Sequence, residues 1–312
     1  MSNRIKGILC ILFSALGFSF MNLFVPLAGD LPTIQKTLFR NLVAFLVALL
    51  ALFRRHRRQP IKELKQPELI PWKLMLMRVS FGTLGLFCNF YALDHLLISD
   101  ASVLNKIAPF ATLIFSALFL AESISKQHIF ALIAAFLGVV CVSKPSLDSP
   151  HLWPYLIGIL GGVMAGAAYT CVRQLNKRGV TGAITIASFS GFSSLVCLLL
   201  LITGFQPMSL KQVAILLAAG IAATCGQFGI TYAYKFAPAS EISIFDYSAV
   251  IFTGILGYLF LQQQADGLSL LGYGLIFMAT LFTFIYNKNS YTYINGVGVI
   301  ITFIYNTLFN WK

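Results

Sequence analysis

Charge is what this sequence lacks most. Only 10% of its 312 residues are Asp, Glu, Lys or Arg, against about a quarter in an ordinary soluble domain. Acidic residues are the scarcest, ten against 22 Lys and Arg. With 58% hydrophobic residues, the chain holds more apolar side chain than a water-soluble core can bury, which makes it a polytopic membrane protein. Missing motifs exclude more. No GxxxxGK[ST] loop is present to cradle phosphates, so a P-loop ATP-driven pump is ruled out. No HExxH, no GxSxG and no pair of carboxylates on one helix face argues for a membrane-embedded enzyme. Cys10, Cys88, Cys141, Cys171, Cys197 and Cys225 all fall inside apolar segments, without a CxxC or metal-ligand spacing, as small packing residues do. His56, His95, His128 and His151 are too scattered for a metal or catalytic centre. No cofactor is expected.

What is there is arranged in runs. A bilayer-spanning helix needs roughly 20 apolar residues, and such runs fall at 5–28, 32–53, 71–93, 99–121, 127–143, 152–176, 183–203, 210–234, 239–261 and 268–286. That gives ten helices with short links, all-α because lipid leaves no backbone group unpaired. The formal net charge of +12 does not point to nucleic acid, because most basic residues lie in the links. The longest link, 54–70, carries Arg54, Arg55, Arg57, Arg58, Lys62 and Lys65, which places it in the cytoplasm by the positive-inside rule. The amino terminus, with Arg4 and Lys6, then also lies inside, and the first run is a retained span of a cell-membrane protein. In the tail 288–312, residues 294–309 are apolar but interrupted by Asn295, Gly296, Gly298 and Asn306, which suits an interfacial helix better than an eleventh span or an unstructured end.

The chain repeats itself. Shifting Tyr91–Glu122 by 141 positions onto Tyr232–Gln263 gives ten identities in 32 positions, among them Tyr91/Tyr232, Ser99/Ser240, Ser102/Ser243 and Thr112/Thr253. This marks a duplication, with halves at 1–145 and 150–287. Each half has five spans, an odd number, so the second enters the membrane inverted relative to the first. An inverted repeat gives two exchangeable conformations of similar energy, which is a transporter device.

Residues 99–143, SDASVLNKIAPFATLIFSALFLAESISKQHIFALIAAFLGVVCVS, resemble the EamA-type repeat of the drug/metabolite transporter superfamily. The matching features are small residues opening the fourth span, Pro109 in its middle, Glu122 at its end and Gly138 in the fifth. The resemblance extends over both halves. It implies ten helices with cytoplasmic ends, alternating access, and transport of small organic metabolites such as amino acids, nucleobases, vitamins or S-adenosylmethionine. FDYSAV at Phe245 and FRN at Phe39 look like the branch of S-adenosylmethionine and riboflavin carriers. Gln263 departs from the pattern, since the second repeat often carries an acid there.

Polar residues inside spans are costly in lipid and must face protein or a wet cavity. Span four shows Ser102, Asn105, Thr112 and Ser116 on one face, and span nine repeats it with Ser243, Asp246, Thr253 and Gly257. Span three shows Arg78, Gly82, Gly85 and Asn89 at spacings of 4, 3 and 4; span eight carries Gln227 and Thr231. These faces either line a central pathway or glue helices together. The intramembrane charges are Arg40, Arg78, Lys106 and Asp246. Counting 1.5 Å per residue, Lys106 lies roughly 10 Å from one boundary and Asp246 about 9 Å from the other. In a core of about 30 Å this separates them by roughly 11 Å, so the expected partner of Asp246 is Arg78. Arg40 and Lys106 then form a clamp for an anionic or zwitterionic substrate, or each snorkels to the interface. Tyr91, Tyr232 and Tyr247 either stack on a ring-bearing substrate or pack. Gly158, Gly162 and Gly166 form a close helix contact within the fold.

The expected function is secondary transport of a small polar organic metabolite, with Asp246 as the proton-coupling group and with a monomer or homodimer as the working unit. A membrane scaffold or lipid-handling protein is the alternative.

Overall fold

The computed structural model describes residues 2–58, 71–96, 98–146, 152–202 and 204–286. Most of the 54–70 link and the tail after residue 286 lie outside them. Among the described residues ten helical segments are long and apolar enough to cross a membrane. In chain order the helices are α1 (Asn3–Leu27), α2 (Thr33–Arg58), α3 (Trp72–His95), α4 (Ile98–Asn105), α5 (Ala108–Leu120), α6 (Lys126–Ser143), α7 (Leu152–Lys177), α8 (Gly182–Leu200), α9 (Leu210–Phe236), α10 (Ala239–Ile242), α11 (Ser248–Leu261) and α12 (Gly267–Tyr286). The fourth span is α4 plus α5. The ninth is α10, a 3-10 turn at Ser243–Tyr247, and α11.

Local sequence starts and stops these helices. Ser2, Ser125 and Ser209 cap α1, α6 and α9, each accepting from a backbone N–H three residues on. Gln212 completes a capping box by accepting from the Ser209 N–H at 2.9 Å, which satisfies donors the helix cannot. The spans that open the repeat's polar faces also close alike. Ala121 and Gln262, 141 positions apart, both take left-handed backbone at φ 52° and 54°. Their followers, Glu122 and Gln263, donate back to the Ser116 and Gly257 carbonyls at 3.3 and 3.1 Å. This is the same six-residue cap built twice.

Burial is inverted relative to a soluble protein. Leu118, Phe119, Leu199 and Phe260 stand exposed, whereas Ser14, Ser19, Ser190 and Thr231 are fully enclosed. Lipid-facing Leu and Phe cost nothing in a bilayer, and three of these hydroxyls bond to helix carbonyls: Ser14 to Gly226, Ser19 to both Ala15 and Ala249, and Thr231 to Gln227.

The helix contacts carry the duplication. The most extensive pairing is α1 with α9, and the next is α7 with α3. Exchanging the halves turns spans one and eight into spans six and three, so these are one contact made twice. The pairing of α5 with α7 likewise maps onto α11 with α1, and α2 with α8 maps onto itself. The halves are interleaved, each helix of one resting on helices of the other.

Close approach makes the α1–α9 seam. A Cβ built on Gly17 would lie 2.6 Å from the Gly226 nitrogen and 2.9 Å from the Ala222 carbonyl oxygen. Backbone cannot yield as a flexible side chain can, so Gly17→Ala is expected to destabilise by about 1–3 kcal/mol. Gly267→Ala, where a Cβ meets nothing within 4 Å, is the control. Thermal unfolding of the two variants in detergent should lower the midpoint for the first alone.

Candidate functional site

The site begins with two broken spans. Pro109 has no N–H, and its ring conflicts with the carbonyl four residues back, which belongs to Asn105. Helix α4 therefore stops at Asn105. Lys106 and Ile107 turn on short bonds to the Val103 and Leu104 carbonyls, and α5 restarts at Ala108. In span nine the counterparts of Asn105 and Lys106, Asp246 and Tyr247, lie in the 3-10 turn. Irregular backbone survives at membrane depth only where its polar groups find partners, and here each break partners the other. Lys106 Nζ donates to Asp246 Oδ2 at 3.1 Å and to the Asp246 carbonyl at 3.4 Å, while the Tyr247 hydroxyl donates to the Lys106 carbonyl at 2.9 Å.

This corrects the expected Arg78–Asp246 pair. The depth count ran an unbroken α-helix through both spans. The 3-10 turn advances 2.0 Å per residue, adding roughly 2.5 Å over five residues, and the four-carbon lysine stem bridges further distance. The charge partner of Asp246 is Lys106, with side chains 18% and 20% exposed.

Arg78 has a different setting. It is 2% exposed, and its Nε and Nη1 have no hydrogen-bond partner. Its guanidinium lies 4.1 Å from the centre of the Phe189 ring, a stacked cation–π contact. Gly82, one turn along α3, makes the room, for a Cβ there would overlap both Arg78 Nη1 and the Phe189 ring. Arg78 looks into a cavity of about 100 Å³ whose walls come from α2, α3, α4, α7, α8 and α9. Arg40, Asn89, Asn105, Tyr169 and Gln227 supply its polar lining, and Gly85, Gly161 and Ala165 its close walls. Gln227 Nε2 is buried and also lacks a partner.

Five of the residues singled out from sequence thus meet at one cavity: Arg40, Arg78, Asn89, Asn105 and Gln227. Arg40 does not snorkel, and it does not clamp with Lys106, whose ammonium is held by Asp246. The tyrosines line no part of the cavity. Tyr91 is 38% exposed and stacks on His95 with centroids 4.0 Å apart. Tyr232 stacks on Phe228 and faces Lys235, and Tyr247 is enclosed against the Lys106 carbonyl. Each does structural work that spacing alone does not separate from substrate contact. Of the span-four face, Thr112 bonds the Ala108 carbonyl at 2.8 Å and approaches the Gly166 carbonyl at 3.5 Å, so it packs instead of lining.

Comparison with known proteins follows this geometry. The model of the EamA-like transporter family matches residues 5–144 and again 152–285. The chain belongs to the EamA-like transporter family. It is similar to the pseudopaline exporter CntI of Pseudomonas aeruginosa, 31% identical over 88% of this chain and 95% of that one. An uncharacterized transporter of Helicobacter pylori is 28% identical over 88% of this chain and 93% of its own. A riboflavin transporter of Rhizobium johnstonii is 25% identical over 90% and 91%. A solved structure titled only as the crystal structure of a protein superposes with a TM-score of 0.80 over 92% of this chain and 99% of that one, at 17% identity, which speaks to the fold.

In this EamA-like transporter the residues that sequence reasoning missed are Tyr169 and Phe189. Helix α7 was read only for Gly158, Gly162 and Gly166, which do seat α4 and α5: Cβ atoms there would collide with Leu104, Ile107, Ala111 or Thr112. The adjoining face, Gly161, Ala165 and Tyr169 at a spacing of four, packs on α3 and ends in the cavity. That spacing was the available signal. Glu122 holds one end of the bundle. Its Oε1 accepts from Arg173 at 2.8 Å and pairs with Lys177 at 3.2 Å, and its Oε2 accepts from the Ala239 N–H at 3.0 Å. The αL cap at Ala121 turns Glu122 toward α7 and α10.

Proposed function

We propose that this protein is a secondary transporter of a small polar organic metabolite, anionic or zwitterionic, working by alternating access in the cell membrane with its amino terminus in the cytoplasm. The observation that carries this reading is the polar cavity between helices of both halves, beside two spans broken at the same repeat position. The halves 1–145 and 150–287 would exchange conformations, opening the cavity to one side at a time. Asp246 is the proton-coupling group: to accept a proton it must release Lys106, and that release changes the contact joining the two breaks. Relatives named as an exporter and a riboflavin transporter support a metabolite as cargo.

The test is counterflow in sealed proteoliposomes holding purified protein. Labelled solutes from the amino-acid, nucleobase, vitamin and organic-acid classes are offered outside, each with the unlabelled solute inside. Accumulation driven by the unlabelled pool is the expected result for one class. Uptake that never exceeds that of protein-free vesicles, for all classes, would sink the reading and favour a scaffold.

A further inference from the structure

The cavity holds more positive charge than the protein neutralises. Arg40 and Arg78 both line it. Among the described residues no carboxylate is paired with either. Asp246, the intramembrane acid, is taken by Lys106 at 3.1 Å, and Glu122 is taken at the bundle end by Arg173 and Lys177. A buried cation without a counter-ion is costly, and truncating it or pairing it relieves that cost. Yet nothing in the fold moves to pair Arg78. Gly82 and Phe189 hold its guanidinium in place, with Nε and Nη1 both empty-handed. Both donors sit on a planar fork suited to binding a carboxylate. Arg40 approaches from a different helix, over the Phe18 ring at 5.7 Å, so the two forks are separate receptors. Around them the lining is neutral and hydrogen-bonding: Asn89, Asn105, Tyr169 and Gln227.

From this we infer that the occupant is an organic molecule bearing two carboxylates, one taken by Arg78 and the other by Arg40, so that the loaded cavity is electrically neutral. Arg78 is the specificity-determining residue. The inference rests on the proposed transport reading and narrows its substrate class. It explains why the protein keeps an unpaired guanidinium 2% exposed: the missing partner is the cargo.

The probes are succinate, glutarate and adipate, their half-amides, acetate, glutamine and glycerol phosphate, added to detergent-purified full-length protein. Thermal shift and titration calorimetry supply the readout, because a ligand that binds only the folded state raises its apparent stability. At least one dicarboxylate should bind ten-fold or more tightly than its half-amide, with acetate and glutamine weaker still. Arg78→Gln should melt higher than wild type without ligand and lose at least ten-fold in dicarboxylate affinity. Arg40→Gln should bind a dicarboxylate and its half-amide equally. Arg78→Lys, which keeps the charge without the fork, should recover only part of the loss.

A folded Arg78→Gln protein that binds dicarboxylates as wild type does overturns the inference. So does wild type stabilised only by neutral solutes, by monoanions or by the phosphomonoester. Counterflow of a neutral solute with dicarboxylates inert would reject the inference and leave the transporter standing. Dicarboxylate binding without counterflow of any solute would do the reverse.

Discussion

Exchanging the charges of Lys106 and Asp246 should restore much of what either single change destroys. Their side chains meet at 3.1 Å in mid-span, each about four-fifths enclosed. Removing one partner of a buried pair leaves the other uncompensated, which costs about 3–5 kcal/mol where water is excluded; with a fifth of each side chain exposed here, the lower end applies. Lys106→Ala and Asp246→Ala should each lower the thermal midpoint strongly, whereas the double variant should lose less than the sum. The exchange Lys106→Asp with Asp246→Lys should recover stability beyond either single reversal. The two breaks are not interchangeable, because Lys106 also serves the Asp246 carbonyl and receives Tyr247, so transport should recover less fully. Asp246→Asn keeps the shape and removes the proton acceptor. It should abolish pH-driven uptake in proteoliposomes and spare substrate exchange. Additive stability losses in the cycle would mean that the pair is geometric coincidence, and pH-driven uptake intact in Asp246→Asn would remove the coupling role.

The parts of this protein that lipid dictates were legible in its sequence. Lipid tolerates no unpaired backbone, so run length alone gave ten spans, and the Arg78, Gly82, Gly85 and Asn89 face of α3 turned out to border the cavity as its spacing implied. What spacing did not carry was the path of the chain where a helix stops. Pro109 was in view, yet the depth of Lys106 was counted as though the helix ran on, and the pairing of Asp246 was misplaced with it. In span nine no proline marks the break at all; Val250 stands where Pro109 stands in the first half. The aromatic residues stayed undecided for another reason. Tyr91, Tyr232 and Tyr247 attract notice because two of them repeat and one flanks a charge, but ring contacts depend on neighbouring helices that a single sequence does not place. Tyr169 lies on the helix whose glycines read as a packing contact, and Phe189 on α8, where the sequence singled out no site residue.

Glu122→Ala should open one end of the molecule while the same change at the matching position of the second repeat does nothing. The Glu122 carboxylate is 7% exposed and serves three groups on two other elements: Arg173 and Lys177 on α7, and the Ala239 N–H at the start of α10. That N–H is one of the donors a helix start leaves unpaired, and the positive end of the helix dipole favours an anion there. Arg173 carries the contact onward to the Tyr234 carbonyl at 2.9 Å, at the negative end of α9, and Asn176 donates to the Thr231 carbonyl at 2.9 Å. One carboxylate therefore ties α5 of the first half to α7, α9 and α10 of the second. Its counterpart Gln263 is exposed and carries no charge. The matching positions of the two repeats thus tie their neighbours unequally. Loss of the carboxylate leaves Arg173 enclosed and unpaired, a cost of about 3–5 kcal/mol, whereas Gln263→Ala should stay within about 0.5 kcal/mol. Thermal unfolding reads the stability difference. Opening is read by the rate at which a maleimide labels a cysteine introduced at Thr231, with the native cysteines replaced by alanine. Labelling should accelerate several-fold in Glu122→Ala and stay unchanged in Gln263→Ala. Equal labelling in both variants would show that the carboxylate stabilises the fold without governing access. In that case the symmetry of the two repeats, and not this contact, would set which side the cavity faces.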